Sequence, residues 1–160
     1  MKTLLFLLAT TLAVPAAAQG PTRSPTRSIT YETGVCFGRC PVYSVTIYSD
    51  GRATFTGRRF TAVEGTREFR VPAGTYLSFA RHLEPLRPAR AENIRYSGDR
   101  CRVMATDLPS ATVTWHGQGG QRSLYFYYGC DMRKNRAIAD RLRRAPDLLP
   151  QLGDFIGRPR

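Results

Sequence analysis

The residues of this chain that are best suited to chemistry are four cysteines: Cys36, Cys40, Cys101 and Cys130. Thiols can form structural disulfides, exchange disulfides with other proteins, bind zinc or attack a substrate. An even number of cysteines in an exported protein favours two disulfides, and four cysteines allow three pairings. We expect Cys36–Cys40 and Cys101–Cys130, because Gly38 lets the short connection fold back and Pro41 prevents a helix there.

The spacing of the cysteines weighs against the other thiol chemistries. A redox pair is more usually Cys-x-x-Cys at a helix N-terminus, whereas Cys36 and Cys40 are one residue further apart and precede a predicted strand. Four thiolates could bind zinc, but they would first have to survive an oxidising compartment. A cysteine nucleophile needs a neighbouring base, and the sequence places neither His82 nor His116 near a cysteine. A thiol–disulfide redox protein that uses Cys36 and Cys40 remains the alternative to structural disulfides.

The N-terminus predicts export. A short basic start, an apolar stretch over residues 3–14 that is too short to span a bilayer and a run of alanines are typical of a signal peptide. We therefore predict a signal peptide over residues 1–18, cleaved after Ala18, and a periplasmic or secreted protein with no transmembrane segment after cleavage. Residues 19–28 are rich in Pro, Ser and Thr and predict a flexible leader. Residues 29–157 are long enough for a single domain with one core.

The chain is strongly basic, with 24 Lys and Arg against 12 Asp and Glu, and only Lys2 and Lys134 are lysines. Arginine pairs bidentately with phosphate and carboxylate, which favours an anionic partner, although a solvated arginine-rich surface is the plainer interpretation. Export removes a protein from cytoplasmic nucleic acid. We therefore expect no nucleic acid as partner, and an anionic cell-envelope component or another envelope protein instead.

Hydrophobic periodicity predicts the elements that would position these residues. Tyr43, Val45 and Ile47 alternate with polar residues as in a half-buried strand, and Asp50-Gly51 is typical of a tight hairpin turn. Further strands are predicted over residues 28–34, 52–56, 60–63, 68–71, 111–115 and 122–128. Helices are predicted from Pro72 to about Pro85, with Leu77 among the inward residues, and over about residues 133–144, whereas residues 90–102 are predicted to be irregular.

The order β-β-β-β-α-β-β-α predicts an α+β fold. We expect an antiparallel β-meander followed by a second β-hairpin, with two to three helices packed on one face of the sheet.

The string Cys36-Phe37-Gly38-x-Cys40-Pro41-x-Tyr43, with the Asp50-Gly51 turn after it, resembles a bacterial exported family, domain of unknown function 6438 (DUF6438). The string Thr-Asp-Leu-Pro-Ser over residues 106–110 is similar to the family's pattern as well. The resemblance implies export and an α+β domain, but no activity, cofactor or catalytic residue. Cys101 and Cys130 look additional to the family pattern, which supports their pairing with each other. The motif residues outside the cysteines are Phe37, Gly38, Pro41, Tyr43, Asp107 and Pro109.

Two groups of polar or aromatic residues are candidates for binding. Asp107 is expected to accept backbone N–H groups in a turn, or else to contact a ligand or metal beside the Cys36–Cys40 loop. Strand alternation sends Tyr125 and Tyr127 to one face, where with Arg122 they predict an aromatic, arginine-flanked ligand surface, unless that face is core.

No catalytic set is visible in the sequence. The two histidines lie on separate predicted elements, and the glycine-rich loop over residues 117–120 lacks the Gly-Lys-Ser/Thr ending of a phosphate loop. We predict no metal, no cofactor and no enzymatic activity, hence a binding or structural module stabilised by two disulfides.

Overall fold

The computed structural model describes residues 27–157. The predicted signal peptide over residues 1–18 and residues 19–26 of the predicted leader lie outside the described residues. Ser28, where the predicted leader and the predicted first strand overlap, is the first residue of β1.

Within these residues the chain forms an α+β domain with one mixed sheet. The strands are β1 (Ser28–Thr33), β2 (Val42–Tyr48), β3 (Arg52–Arg59), β4 (Gly65–Arg70), β5 (Asn93–Tyr96), β6 (Ser110–Gly117) and β7 (Gly120–Tyr127). The α-helices are α1 (Thr75–Leu83), α2 (Arg136–Arg144) and α3 (Leu152–Ile156). The strand order across the sheet is β4-β3-β2-β1-β6-β7-β5. All neighbouring strands are antiparallel except β5 and β7, which are parallel.

The alternation predicted for the strands places their apolar residues on one face of the sheet. In β1, Ile29 lies between Ile47 of β2 and Trp115 of β6, and all three side chains are buried. The helices contribute Phe79, Leu142 and further apolar residues to the same buried cluster. The opposite face carries mainly Thr, Ser, Arg and Tyr side chains, because every second strand residue points there.

Aromatic rings link the sheet to α3. Tyr43 lies 6.4 Å from Tyr31 and 5.7 Å from Phe55, measured between ring centroids. Phe155 of α3 then packs 5.3 Å from Phe55 and 5.2 Å from Phe69. Aromatic pairs at these separations stabilise a core beyond the area that they bury.

Three predicted elements are wrong in detail. Residues 90–102, predicted to be irregular, contain β5, a strand that the hydrophobic pattern did not predict; four half-exposed residues are too few to produce a clear period. Residues 60–63 do not form a strand, because Phe60 adopts a positive φ of 55° that ends the extended conformation. Leu77 is 60% exposed instead of inward, since the buried stripe of α1 runs through Tyr76, Phe79 and Leu83.

Both long helices begin later than predicted. Gly74, with φ 84°, sets the start of α1 at Thr75, and α2 starts at Arg136 after a series of turns.

Candidate functional site at the loop end of the sheet

Four connections meet at one end of the sheet. The strands β1, β3, β5 and β7 finish there, and β2, β4 and β6 begin there, as the pairing directions require. We call this end the loop end. It consists of residues 34–41, 60–64, 97–109 and 128–135.

Both disulfides lie at the loop end and confirm the predicted pairing. Cys36–Cys40 closes a small ring within the β1–β2 loop, with the two Cα atoms 5.8 Å apart. Cys101–Cys130 joins the β5–β6 loop to the residues after β7, with a Cα separation of 5.2 Å. The described residues contain no free cysteine. Each bridge therefore restrains a long or irregular connection rather than the regular sheet.

Thr33 positions the motif residues at the start of β2. Its hydroxyl donates to the carbonyl oxygen of Pro41 at 2.7 Å and accepts the backbone N–H of Tyr43 at 3.1 Å. The pairing of β1 with β2 ends at Glu32 and Ser44, so the hydroxyl satisfies these two backbone groups just beyond the last residue pair of that ladder. Gly38 has φ 131°, a conformation that favours glycine in the tight ring.

Asp107 lies beside the Cys36–Cys40 ring. Its backbone carbonyl oxygen accepts the N–H of Phe37 at 3.2 Å, and its exposed carboxylate accepts the hydroxyl of Thr106 at 3.1 Å. Its backbone has a φ of 68°. The carboxylate thus bonds to a hydroxyl instead of the backbone N–H groups that the sequence predicts, while the main chain makes the contact to the ring.

Asp131 is a structural residue that sequence reasoning missed. Its carboxylate accepts the backbone N–H groups of Arg102 at 3.1 Å and Val103 at 2.8 Å. These two hydrogen bonds hold the pKa of the Asp131 carboxyl below its usual value, because they stabilise the ionised form. Buried Asn135 donates to the carbonyl oxygen of Cys130 at 2.9 Å. The feature of the sequence that could have indicated the role of Asp131 is its place directly after Cys130.

A cleft of about 170 Å³ opens between the two motif loops and α2. Four motif residues line it, Cys40, Pro41, Tyr43 and Pro109. The other lining residues are Tyr31, Thr33, Leu108, Ser110, Tyr128 and Arg143. This volume is below the roughly 300 Å³ at which pockets for drug-sized ligands begin, so the cleft suits one side chain or a similarly small group.

Exposed apolar side chains are concentrated at the loop end. Of the seven large hydrophobic side chains that are exposed in residues 27–157, six lie there, and Phe37 is 87% exposed. These six are Val35, Phe37, Phe60, Val103, Met104 and Met132. The seventh, Leu77, lies on α1.

Backbone strain is concentrated at the same place. Three non-glycine residues in the described part of the chain have a positive φ, namely Phe60, Asp107 and Asp131, and all three are loop-end residues. Such conformations persist only where the surrounding structure enforces them, and they are enriched at functional sites.

The structure separates the three residues of the predicted aromatic surface. Tyr125 and Tyr127 lie on the face of the sheet that the helices do not cover. Arg122 pairs with Trp115 and points to the other face. Arg95 of β5 lies over the Tyr125 ring instead, with its guanidinium carbon 3.9 Å from the ring centroid. The Tyr127 hydroxyl accepts the N–H of Leu108 at 3.3 Å, which connects this face to the loop end.

A family model described as a domain of unknown function (DUF6438) matches residues 27–146. The chain belongs to this family. No curated protein and no solved structure matches the chain. The DUF6438 region contains all seven strands, both disulfides and every loop of the loop end, whereas α3 follows it.

Two further findings concern residues 27–157 only. None of their helices is long and apolar enough to cross a membrane. No group of three or more His, Cys, Asp or Glu side chains among them is arranged to hold a metal ion.

Proposed function

We propose that this DUF6438 protein is an exported, non-enzymatic binding module that contacts its partner through the loop end. The observation that carries this proposal is the placement of six of the seven exposed large hydrophobic side chains on these four loops. Scattered exposed apolar residues are normal, but their concentration at one place is typical of an interaction surface.

The restraints on the loop end support binding rather than a merely irregular surface. Two disulfides, the Thr33 hydroxyl and the Asp131 carboxylate hold loops that would otherwise be mobile. A surface that is fixed before it meets its partner loses less conformational entropy on binding. The positive φ values of Phe60, Asp107 and Asp131 show that backbone strain is retained there.

The proposal includes the division of the chain into a signal peptide, a leader and one domain. Residues 1–18 are a signal peptide cleaved after Ala18, residues 19–28 are a leader, and residues 29–157 are the binding domain. Two disulfides and the lack of a membrane-spanning helix in residues 27–157 are compatible with a periplasmic or extracellular protein. The partner class that we expect is an anionic envelope component or another envelope protein.

Photo-crosslinking in the producing cell tests this proposal. A photoreactive phenylalanine analogue is placed at Phe37 and, in a separate variant, at Leu77. Both side chains are well exposed, at 87% and 60%, but only Phe37 belongs to the loop end. We expect illumination to give adducts with envelope material at Phe37 and not at Leu77. Equal labelling of the two positions, or adducts at Leu77 alone, would contradict the proposal.

Thiol–disulfide exchange by Cys36 and Cys40 is the alternative function. Both cysteines are half-buried rather than enclosed in the core, which favours access by a thiol. Against it, β2 and not a helix follows the ring, whereas redox-active cysteines usually lie at a helix N-terminus. Turnover of insulin reduction tests the alternative. Turnover that disappears in Cys36→Ser supports it, and turnover that survives this substitution rejects it.

A further inference from the structure

The cleft between the motif loops and α2 has mainly apolar walls that the core holds in place. Three tyrosines that line it, Tyr31, Tyr43 and Tyr128, are only 2%, 1% and 7% exposed. Pro41 and Pro109 add two further apolar rings to the lining. Such walls favour an apolar group, because the group leaves water when it enters, and a volume of about 170 Å³ holds one side chain of modest size.

The loops that carry these walls are restrained in the absence of a ligand. The disulfide Cys36–Cys40 fixes Cys40, which lines the cleft. The Thr33 hydroxyl donates to the carbonyl oxygen of Pro41 at 2.7 Å. On the other motif loop, the Tyr127 hydroxyl accepts the N–H of Leu108 at 3.3 Å. A site with restrained walls loses less conformational entropy when it binds.

Arg143 gives the cleft a positive charge. Among the described residues that line the cleft, it is the one with a charged side chain. Its guanidinium carbon lies 4.8 Å from the centroid of the Tyr128 ring, so the cation is held against the cleft wall. A guanidinium group presents paired N–H donors that match the two oxygens of a carboxylate. The cleft therefore combines an apolar compartment with a site for one anionic group.

The carboxylates near the cleft leave Arg143 available to a ligand. Its ion-pair partner Asp140 lies 3.5 Å away, and the exposed fractions of the two side chains are 54% and 44%. Exposed pairs of this kind contribute little stability. Asp140 also lies 3.8 Å from Arg136, so it keeps a basic neighbour when Arg143 turns to a ligand. Asp107 directs its carboxylate to a neighbouring hydroxyl and does not line the cleft.

Two other concavities within residues 27–157 lack this combination. A depression of about 260 Å³ beside Met132 is lined by Asp131 as well as by two basic residues. A concavity of about 330 Å³ on β3 and β4 is lined by Glu68 together with two arginines. Both linings mix the two signs of charge. The cleft is therefore the better match for an anion with an apolar part.

We propose that the cleft binds a small apolar carboxylate, either the C-terminal residue of a peptide chain or a free carboxylic acid. The inference rests on the proposed binding role of the loop end and names the chemical class that this end recognises. The apolar group of the ligand occupies the space between the tyrosine and proline rings, and its carboxylate accepts N–H groups of Arg143.

The C-terminal residue of a chain has the required chemistry in compact form. Its side chain and its carboxylate are attached to the same carbon atom, so one residue can fill the cleft and reach Arg143. Aspartate and glutamate side chains carry the charge without the apolar group. Capture of a terminal carboxylate is also an established mode of peptide recognition.

An NMR titration tests the proposal with three probes. The isotope-labelled, oxidised chain from Gln19 onward is titrated with acetylated glycyl-valine, with the C-terminal amide of the same peptide, and with isovalerate. We expect the peptide acid to shift the backbone N–H signals of Tyr43 and Ser110, and the amide to bind about tenfold more weakly or less, because it lacks the charge that Arg143 recognises. Isovalerate distinguishes the two sources: weaker binding than the peptide acid indicates a chain terminus, and equal binding indicates a free acid.

Two neighbouring arginines of α2 provide matched variants. Arg143→Gln should weaken binding of the peptide acid by about tenfold or more. Arg144→Gln removes the same charge from an exposed residue that does not line the cleft, and should weaken binding by about twofold at most. Arg143→Lys keeps the charge without the paired donors and should weaken binding less than Arg143→Gln. The comparison of acid and amide uses the unaltered protein, so it does not depend on the folding of a variant.

The outcomes separate this inference from the proposed function. Equal affinities for the acid and the amide, or equal losses for Arg143→Gln and Arg144→Gln, overturn recognition of a carboxylate in the cleft. No binding of any probe, together with adducts from a photoreactive residue at Phe37, overturns this inference and leaves the loop end as a binding surface. Absence of both probe binding and Phe37 adducts overturns the two proposals together.

Discussion

Both ends of the sheet reverse the direction of the chain, but they do so with different kinds of connection. At the far end, β2 turns into β3 at Asp50 and Gly51, and β6 turns into β7 at Gln118 and Gly119. These turns are short and carry polar or glycine residues. At the loop end the connections are longer, expose apolar side chains and are held by two disulfides. A connection that only reverses the chain needs neither exposed apolar side chains nor disulfides. The difference therefore favours the loop end as the end with a binding role.

One carboxylate at each end shows the difference in detail. Asp50 accepts the N–H of Arg52, two residues away, at 3.0 Å, so it stabilises only its own turn. Asp131 accepts the N–H of Arg102, 29 residues away, at 3.1 Å, so it fastens a distant loop. The carboxyl pKa is lowered in both, by the Arg52 side chain for Asp50 and by backbone N–H groups for Asp131. A carboxylate that accepts backbone N–H groups therefore stabilises a single turn at the far end and joins two distant segments at the loop end.

The largest effect is expected from Tyr43→Ala, which removes a side chain beneath the loop end. Tyr43 is 1% exposed and packs between Tyr31 and Phe55, so its loss should lower the free energy of unfolding by about 3–5 kcal/mol. Urea denaturation measures the change. Tyr125→Ala on the open face is the control and should cost about 1 kcal/mol or less. Equal losses for the two variants would contradict the packing of Tyr43 between Tyr31 and Phe55.

Removing the disulfides one at a time should distinguish their roles. Cys101–Cys130 spans 29 residues and Cys36–Cys40 spans 4, so chain entropy gives losses of about 3.5 and about 2 kcal/mol for the paired Cys→Ser variants. Thermal and urea unfolding of the two variants measure this order. If the variant that lacks Cys36–Cys40 is the less stable of the two, the length of the closed loop does not determine how much each disulfide stabilises the fold.

Thr33→Val should show what the single hydroxyl at the start of β2 contributes. The substitution keeps the shape of the side chain but leaves the Pro41 carbonyl oxygen and the Tyr43 N–H without the hydroxyl, at a cost of about 1–3 kcal/mol. Thr56→Val is the matched control on the open face, where the hydroxyl contacts only Thr66 at an exposed position. A loss for Thr33→Val no greater than that of the control would show that other contacts hold the start of β2.

The smallest effect is expected from acid, and it concerns Asp131. Because its folded pKa lies below the ordinary value of 3.8, its stabilising effect is present above pH 3.8 and is lost as the pH falls through the lowered folded pKa. Amide exchange at Arg102 and Val103 should therefore be protected near neutral pH, with protection lost in strong acid. In Asp131→Asn the protection should be weaker and should not change across that acid range. Wild-type protection that persists through this range would show that the carboxylate does not fasten the loop.

The sequence predicts the far end better than the loop end. Alternation over Tyr43, Val45 and Ile47 and the Asp50-Gly51 turn are local patterns, and the structure has the strand and the turn where they place them. At the loop end only the disulfide pairing was predictable to the same degree, since it follows from a short ring and the two remaining cysteines. Local periodicity and turn chemistry are sufficient for these features because neighbouring residues determine them.

The rest of the loop end could not be predicted because distant parts of the chain form it. Phe37 meets Asp107 only through the strand order, and β5 exists as a strand because β7 supplies its hydrogen-bonding partners. The same topology places Arg95, rather than the predicted Arg122, over Tyr125. Whether Tyr125 and Tyr127 bind a ligand stays a prediction.

Hydrogen exchange with and without the cell-envelope fraction tests the central claim most directly, because one experiment compares both ends of the sheet. Binding through the loop end predicts slower exchange over residues 34–41, 97–109 and 128–135 when the envelope fraction is present. It predicts no change at the hairpin turns over residues 49–51 and 117–120. Protection at those turns, or no protection anywhere, would contradict the assignment of the loop end as the binding surface.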